Sequence, residues 1–236
     1  MRLLLASNNA KKLAELRALL ALPALSLLPQ GELGIAEAEE PHGTFIENAL
    51  AKARHAARQG GGAAIADDSG LCVDALGGAP GVLSAVFAPS PAEVRADESA
   101  DLPADLPADL LAEGPAGAPA DREAQRRRQD AANNRLLLQR LHGVADRRAA
   151  FVCTLVALRH ADDPQPLVAC GRWAGQILEA PSGQGGFGYD PLMFIPSLGR
   201  SVAALDAGVK NLHSHRALAA LQMRALLQEV WHLGRL

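Results

Sequence analysis

Two adjacent acids, Asp67 and Asp68, stand in the run AIADDSGLCVDALGGAPGVLSA from Ala64 to Ala85, where a short apolar segment leads into Ser69 and Gly70. Carboxylates placed where a buried strand surfaces can hold a hard cation or act as a base, because the strand fixes them on a rigid scaffold. The pattern predicts a strand that ends in a Ser-Gly turn. A second apolar segment, Leu71 to Val73, then meets a second bend forced by Gly77, Gly78, Pro80 and Gly81. Taken alone, the two acids fit turn chemistry as well as a functional site.

Three further segments carry residue types that suit a phosphorylated ligand. The strand-like RLLLA from Arg2 to Ala6 is followed by Ser7, Asn8 and Asn9, a polar turn that can cap a helix bearing Leu13, Leu16, Leu19 and Leu20 at helical spacing. Such a turn points backbone N–H groups and the positive end of a helix at one place, and Lys11 and Lys12 add charge there. Read in isolation, it is more simply an ordinary capped helix. Thr44 and Glu47 have the spacing of a capping box, so a helix is predicted from about Phe45 to Arg58. Asn48 and Lys52 fall one turn apart on it, and Lys52 can reach whatever Glu39 and Glu40 approach from the preceding loop. By themselves these are a solvated acidic loop and a surface lysine.

The loop from Pro181 to Pro191 places four glycines around Phe187 and Tyr189, with Gly188 between the aromatics and Asp190 beyond them. Glycines let a backbone approach a ligand closely, and exposed aromatics can stack on a flat ring. Ser214 is a good N-cap for a last helix whose apolar face is expected to carry Leu218, Leu221 and Ala225. Lys210, His215 and Arg216 cluster at its start, where the helix dipole disfavours cations, and broken local rules mark functional positions.

The elements that must hold these residues can be bounded from composition. With 236 residues and 49% hydrophobic content the chain can bury a full core, and a single domain of two lobes is expected. A net charge of −3 with both signs mixed gives no basic field for nucleic acid, so the ligand should be small. No apolar run reaches the ~18 residues of a membrane span, which predicts a cytoplasmic protein with no membrane partner. Cys72, Cys153 and Cys170 lack metal or disulfide spacing and read as buried reduced thiols. AAFVCTLVAL from Ala149 and LVACGRW from Leu167 predict a hairpin, and Trp173 and Trp231 read as core. From about Pro89 to Ala120 the composition turns to Pro, Ala, Asp and Glu, with the repeat PADLPADL, predicting an exposed, largely disordered insertion. Arg126, Arg127 and Arg128 beyond it read as a charged helix face.

Carboxylates without a Cys or His cluster favour Mg²⁺, and hydrolysis by oriented water is the simplest chemistry such an inventory supports. The chain resembles the Ham1-like inosine triphosphate pyrophosphatase family. The likeness rests on ASNNAKKLAEL at Ala6, EEPHGTFIENALAKA at Glu39, ADDSGLCVDALGGAPGVLSA at Ala66, GGFGYDPLMF at Gly185 and KNLHSHRALA at Lys210. The resemblance implies an α/β fold with a mixed, elongated central sheet, flanking helices and an active cleft between two lobes. It also implies a homodimer and Mg²⁺-dependent conversion of a non-canonical purine nucleoside triphosphate to monophosphate and pyrophosphate.

By the same resemblance, Ser7, Asn8, Asn9 and Lys12 would cradle phosphates and Lys52 would neutralise developing charge. Glu39 and Asp68 would hold Mg²⁺, with Asp68 also the base, Asp67 and Glu40 in support, and Ser69 positioning substrate. Phe187, with Gly188 and Tyr189, would pack on the purine, while Asp190, Lys210, His215 and Arg216 surround its polar edge. Three features depart from the pattern: the Pro89 to Ala120 segment, Val86 where an arginine is common, and Gly208-Val209 where acids are common. A pyrophosphatase for modified pyrimidine or methylated nucleotides shares much of this inventory. So does a nucleotide-binding module without catalysis, although the intact acid set speaks against that one.

Overall fold

The computed structural model describes residues 1–23, 25–89 and 119–234. Seven strands form one open, mixed sheet: β1 (Arg2–Leu5), β2 (Ser26–Pro29), β3 (Ala64–Val73), β4 (Arg148–Leu158), β5 (Leu167–Ile177), β6 (Met193–Ile195) and β7 (Arg200–Ser201). Their order is β2-β1-β3-β4-β5-β6-β7. β1 runs parallel to both β2 and β3, and every later pair is antiparallel. The helices are α1 (Ala10–Leu19), α2 (Phe45–Gly60), α3 (Pro119–Arg140), α4 (Ala207–His213) and α5 (His215–Glu229).

Strand periodicity assigns the layers. Leu3, Leu5 and Ile65 pack with Leu16 of α1, with Leu20 just beyond it, and with Ala219, Ala220, Met223 and Leu227 of α5. Leu4, Ala64 and Ala66 face the other way, onto Ala49, Ala53, Ala56 and Ala57 of α2. Farther along β3, Leu71 and Val73 share a cluster with Leu137 of α3, Leu141 just beyond it, Trp173 and Ile177. α2 starts where its capping box lies: Thr44 accepts from the Glu47 N–H and donates to the Glu47 carboxylate at 2.6 Å.

α5 lies on β5 with no side chain between them at Gly171, where an added Cβ would come 2.0 Å from the His215 carbonyl oxygen and 2.6 Å from the Ala219 nitrogen. That approach presses the first turn of α5, with His215 and Arg216, against the sheet.

Several expectations are corrected. ADDSG is not a turn: β3 runs unbroken from Ala64 to Val73, pairing Asp67 with Leu155, Asp68 with Thr154, Ser69 with Cys153 and Gly70 with Val152. A ten-residue ladder against apolar β4 overrides the local turn preference of Asp, Ser and Gly. Gly70 marks a close approach instead, since a Cβ there would meet the Gly81 carbonyl and Ser84 hydroxyl oxygens, each at 2.4 Å. The short strands β2, β6 and β7 carry too few residues to show a period, and β5 continues through Gln176 instead of stopping near Trp173. Leu218, Leu221 and Ala225 lie on the solvent side of α5, whose buried face is Ala217, Ala219, Ala220, Met223 and Leu227. Of the cysteines only Cys153 is buried; Cys170 is exposed and Cys72 intermediate, and all three are free.

The two tryptophans are buried, as expected of core residues. α3 begins at Pro119, so Arg126 to Arg128 lie within a helix and expose their charge. The insertion expected from about Pro89 to Ala120 falls, between 90 and 118, outside the described residues. No helix among the described residues is long and apolar enough to cross a membrane.

Gly171→Ala is expected to lower stability by about 1–3 kcal/mol through overpacking of α5 on β5, read from the urea unfolding midpoint.

Candidate active site

Alternation along β3 puts its two acids on opposite faces of the sheet. Asp67 and Ser69 share the parity of Ile65 and face α1 and α5, whereas Asp68 shares that of Ala64 and Ala66 and faces α2. β1 pairs with β3 only at Ala64 and Ile65. The chain then leaves β1 for the Ser7–Asn9 loop and enters α1, from which Lys12 reaches Asp67 of β3. The loop is ordered by its own caps: Ser7 Oγ accepts from the Asn9 N–H, and Asn9 Oδ1 accepts from the Lys12 N–H, each at 3.2 Å. Asn8 is exposed beside Gly31.

On the α1/α5 side, Asp67 Oδ2 lies 3.3 Å from Lys12 Nζ and 3.5 Å from an Arg216 nitrogen, and it accepts from the Ser69 hydroxyl at 3.0 Å. Burial pushes the Asp67 carboxyl up, but Lys12 and Arg216 outweigh it and hold the group far below the usual carboxylate range. Arg216 is only 2% exposed. Its Nη1 donates to Glu15, which also pairs with Lys210 at 3.2 Å, and its Nη2 donates to Ser69 Oγ at 2.9 Å. Arg216 is therefore largely committed to protein partners. Its Nε has no partner among the described residues.

On the α2 side, Asp68 Oδ1 accepts from Lys52 Nζ and from the Ser69 N–H, both at 3.1 Å, and Lys52 also pairs with Glu40 at 3.0 Å. Burial pushes Asp68 up to about 6, aided by Glu40 and opposed by Lys52. Burial pulls Lys52 down, yet Asp67, Asp68 and Glu40 together keep its ammonium above the usual range. Glu39 is exposed, and it is Glu40 that reaches Lys52.

Asp68 Oδ2 is buried without a partner among the described residues, and no group of three or more His, Cys, Asp or Glu side chains converges there or elsewhere among them. One or two hard carboxylate oxygens, already gathered about an ammonium, suit Mg²⁺, which takes few protein ligands and fills its shell with water and phosphate oxygens.

Around the corner from Asp67 the α1/α5 face opens into a cavity of about 220 Å³, walled by Lys12, Ser69, Phe151, Phe187, His215 and Arg216 among others. Phe187 is half-buried, with the Lys210 ammonium 4.6 Å from its ring centroid. Lys210 in turn donates to buried Asp190 at 2.9 Å, and Asp190 accepts from the Phe187 N–H at 3.0 Å. Burial raises the Asp190 carboxyl, against the pull of Lys210.

His215 stacks on Phe151 with ring centroids 5.0 Å apart. Burial, then Arg216 and Lys210, keeps its imidazole neutral at physiological pH, and its Nδ1 is without a partner among the described residues. Ser214 joins the two helices here, its N–H closing α4 on the Lys210 carbonyl and its hydroxyl accepting from the Ala217 N–H to start α5.

Two expectations about the glycine-rich loop change. Tyr189 is buried and donates to the Ser84 carbonyl at 3.0 Å, so it is a prop instead of a stacking surface. Gly183, Gly185 and Gly186 are close to the protein itself, to Ala203 and Asp190, while only Gly188 of the four has open space where a side chain would be. Glu15 escaped the sequence reading, although its position three residues beyond Lys12 places it on the same helix face. Asp130 and Asn134 also escaped it, because their partner, the backbone of Gly188, leaves no mark in sequence.

An open mixed sheet with a charged strand edge leading into an aromatic pocket suits an anionic chain at one end and a flat ring at the other. The chain belongs to the Ham1 family, whose model matches residues 3–105 and 103–226. A dITP/XTP pyrophosphatase from Methylibium petroleiphilum is 64% identical, covering 98% of this chain and 99% of its own length. Another of that name from Leptothrix cholodnii is 63% identical over 99% of this chain and its whole length. A HAM1 protein structure from Coxiella burnetii superimposes with a TM-score of 0.76 at 36% identity, covering 97% of this chain and 99% of that one. The mixed sheet with flanking helices expected from the sequence is the fold shared with that solved structure.

In the metal-free protein the Asp68 carboxyl is expected to titrate near 6, as read by carbon NMR of the labelled side chain. Because this folded value lies above the ordinary 3.8, ionising Asp68 costs stability, which is lost as pH rises from about 4 to 6. Asp68→Asn should therefore gain stability over the native chain at pH 7 and lose that advantage below pH 4.

Proposed function

We propose that the protein hydrolyses the non-canonical purine triphosphates dITP, ITP, dXTP and XTP to the monophosphate and pyrophosphate, clearing them from the nucleotide pool. The observation that carries this is the β3 edge itself. It joins a lysine-and-carboxylate set on one face to an aromatic-lined pocket on the other. The names of the relatives support the substrate class.

In this reading the Ser7–Asn9 loop and Lys12 take the phosphates at the start of α1, where N–H groups and the dipole favour anions. Lys52 adds charge from the opposite face. Asp68, raised by burial yet ionised at neutral pH, accepts a proton from the water whose oxygen attacks the α-phosphorus. The bond from that phosphorus to the bridging oxygen breaks, and pyrophosphate leaves against Lys12 and Lys52. Asp67 is too tightly paired to serve as the base and instead holds Lys12. Mg²⁺, held by Asp68 with Glu40 or Glu39, would supply charge neutralisation on the phosphate oxygens.

At the other end Phe187 offers a face to the purine. Neutral His215, able to donate from one ring nitrogen, matches the C6 carbonyl of hypoxanthine or xanthine and opposes the amino group of adenine. Asp190 and Lys210 hold the Phe187 loop beside it. On the family resemblance, the chain acts as one two-lobed domain and as a cytoplasmic homodimer, for which sedimentation equilibrium should return the mass of two chains.

Purified protein given dITP and Mg²⁺ should release pyrophosphate and dIMP, with chelation stopping turnover and Mg²⁺ restoring it. Orthophosphate as product, or equal turnover of dATP, overturns the reading. Asp68→Asn should cut kcat by about 10² or more while circular dichroism shows the fold retained; near-native kcat would move the base elsewhere.

A further inference from the structure

α3 carries a polar stripe whose members divide between two tasks. Asn133 accepts from the Ala88 N–H at 2.8 Å and donates to the Ser84 and Ala85 carbonyls at 3.2 and 3.1 Å. Gln129 donates to the Ala88 carbonyl at 2.8 Å. These bonds fix the helix to the segment after β3, and Ser84 in turn accepts from the Leu71 N–H of β3 at 2.8 Å. One residue further round, Asp130 Oδ2 accepts from the Gly188 N–H at 2.8 Å and Asn134 Nδ2 donates to the Gly188 carbonyl at 3.0 Å. One helix face thus grips both peptide bonds of Gly188, which sits at φ +59° and directly follows Phe187.

We propose that Asp130 and Asn134 are positioning residues for the nucleobase: their grip on Gly188 sets where the Phe187 ring stands relative to the acids of β3. This rests on the nucleotide reading above and deepens it. Phe187 is otherwise pinned on its amino side by Asp190, so α3 supplies the constraint on the other side. A charge-assisted bond from a carboxylate to a backbone N–H is among the stronger side-chain contacts. Asp130 also borders the cavity, but Asn134 does not, so an effect of Asn134 on the base must pass through Gly188.

The test compares Asp130→Ala, Asn134→Ala and Asp130→Asn with the native enzyme under steady-state turnover of dITP, with dIMP and pyrophosphate as product inhibitors. Each alanine variant should raise KM about tenfold with kcat within about twofold. Inhibition by dIMP should weaken in step while inhibition by pyrophosphate is unchanged. Asp130→Asn, which keeps an acceptor for the Gly188 N–H, should restore most of the loss. Should Asp130→Ala fail to fold, Asn134→Ala carries the same readouts.

Unchanged KM in Asn134→Ala, equal weakening of pyrophosphate inhibition, or no rescue by Asp130→Asn overturns the proposal while leaving the enzyme's activity intact. If the native protein itself yields no pyrophosphate, the nucleotide reading falls first and the positioning role with it.

Discussion

The buried guanidinium of Arg216 is the constraint around which the rest of the molecule is arranged. A cation removed from water is tolerable only when nearby acids and hydrogen bonds replace its hydration, and removing one partner of such a set costs far more than the set contributes. Here Glu15 comes from α1, Asp67 and Ser69 from β3, and Arg216 itself from α5. Each element is held at its place partly by that demand. The pairing continues outward as an alternating row, Lys12, Asp67, Arg216, Glu15, Lys210, Asp190. Opposite charges therefore alternate from the first turn of α1 to the Phe187 loop.

β3 divides labour by parity. Its odd-numbered residues feed that row, and Asp68 alone of the two acids is turned into the α2 layer, where fewer cations offset its burial. The same strand consequently presents one carboxylate that is locked as an anion and another that burial makes hold its proton more tightly, up to about pH 6. Adjacency in sequence here means opposite faces of the sheet.

Much of this was legible in the chain. The capping box at Thr44, the opening strand, turn and helix, and the Ser214 cap all read correctly, because each depends on neighbours within one helical turn. What was not legible depends on long-range pairing. Asp-Asp-Ser-Gly looks like a turn until β4 is laid beside it. The start of α5 lies with its backbone, at His215 and Ala219, against Gly171 of a distant strand. Leu218 and Leu221, apolar and suitably spaced, end up outside. Tyr189 and three loop glycines answer to Ser84, Ala203 and Asp190, contacts that local composition does not encode.

Ser214 ends one helix with its backbone and begins the next with its hydroxyl. Lys210 and Arg216 are thereby parts of one elbow that has no slack. Since each residue turns an α-helix by about 100°, adding or deleting a single position between them would swing one cation off the shared Glu15 carboxylate. The stretch from Lys210 to Arg216 is therefore constrained in its length as well as in its side chains.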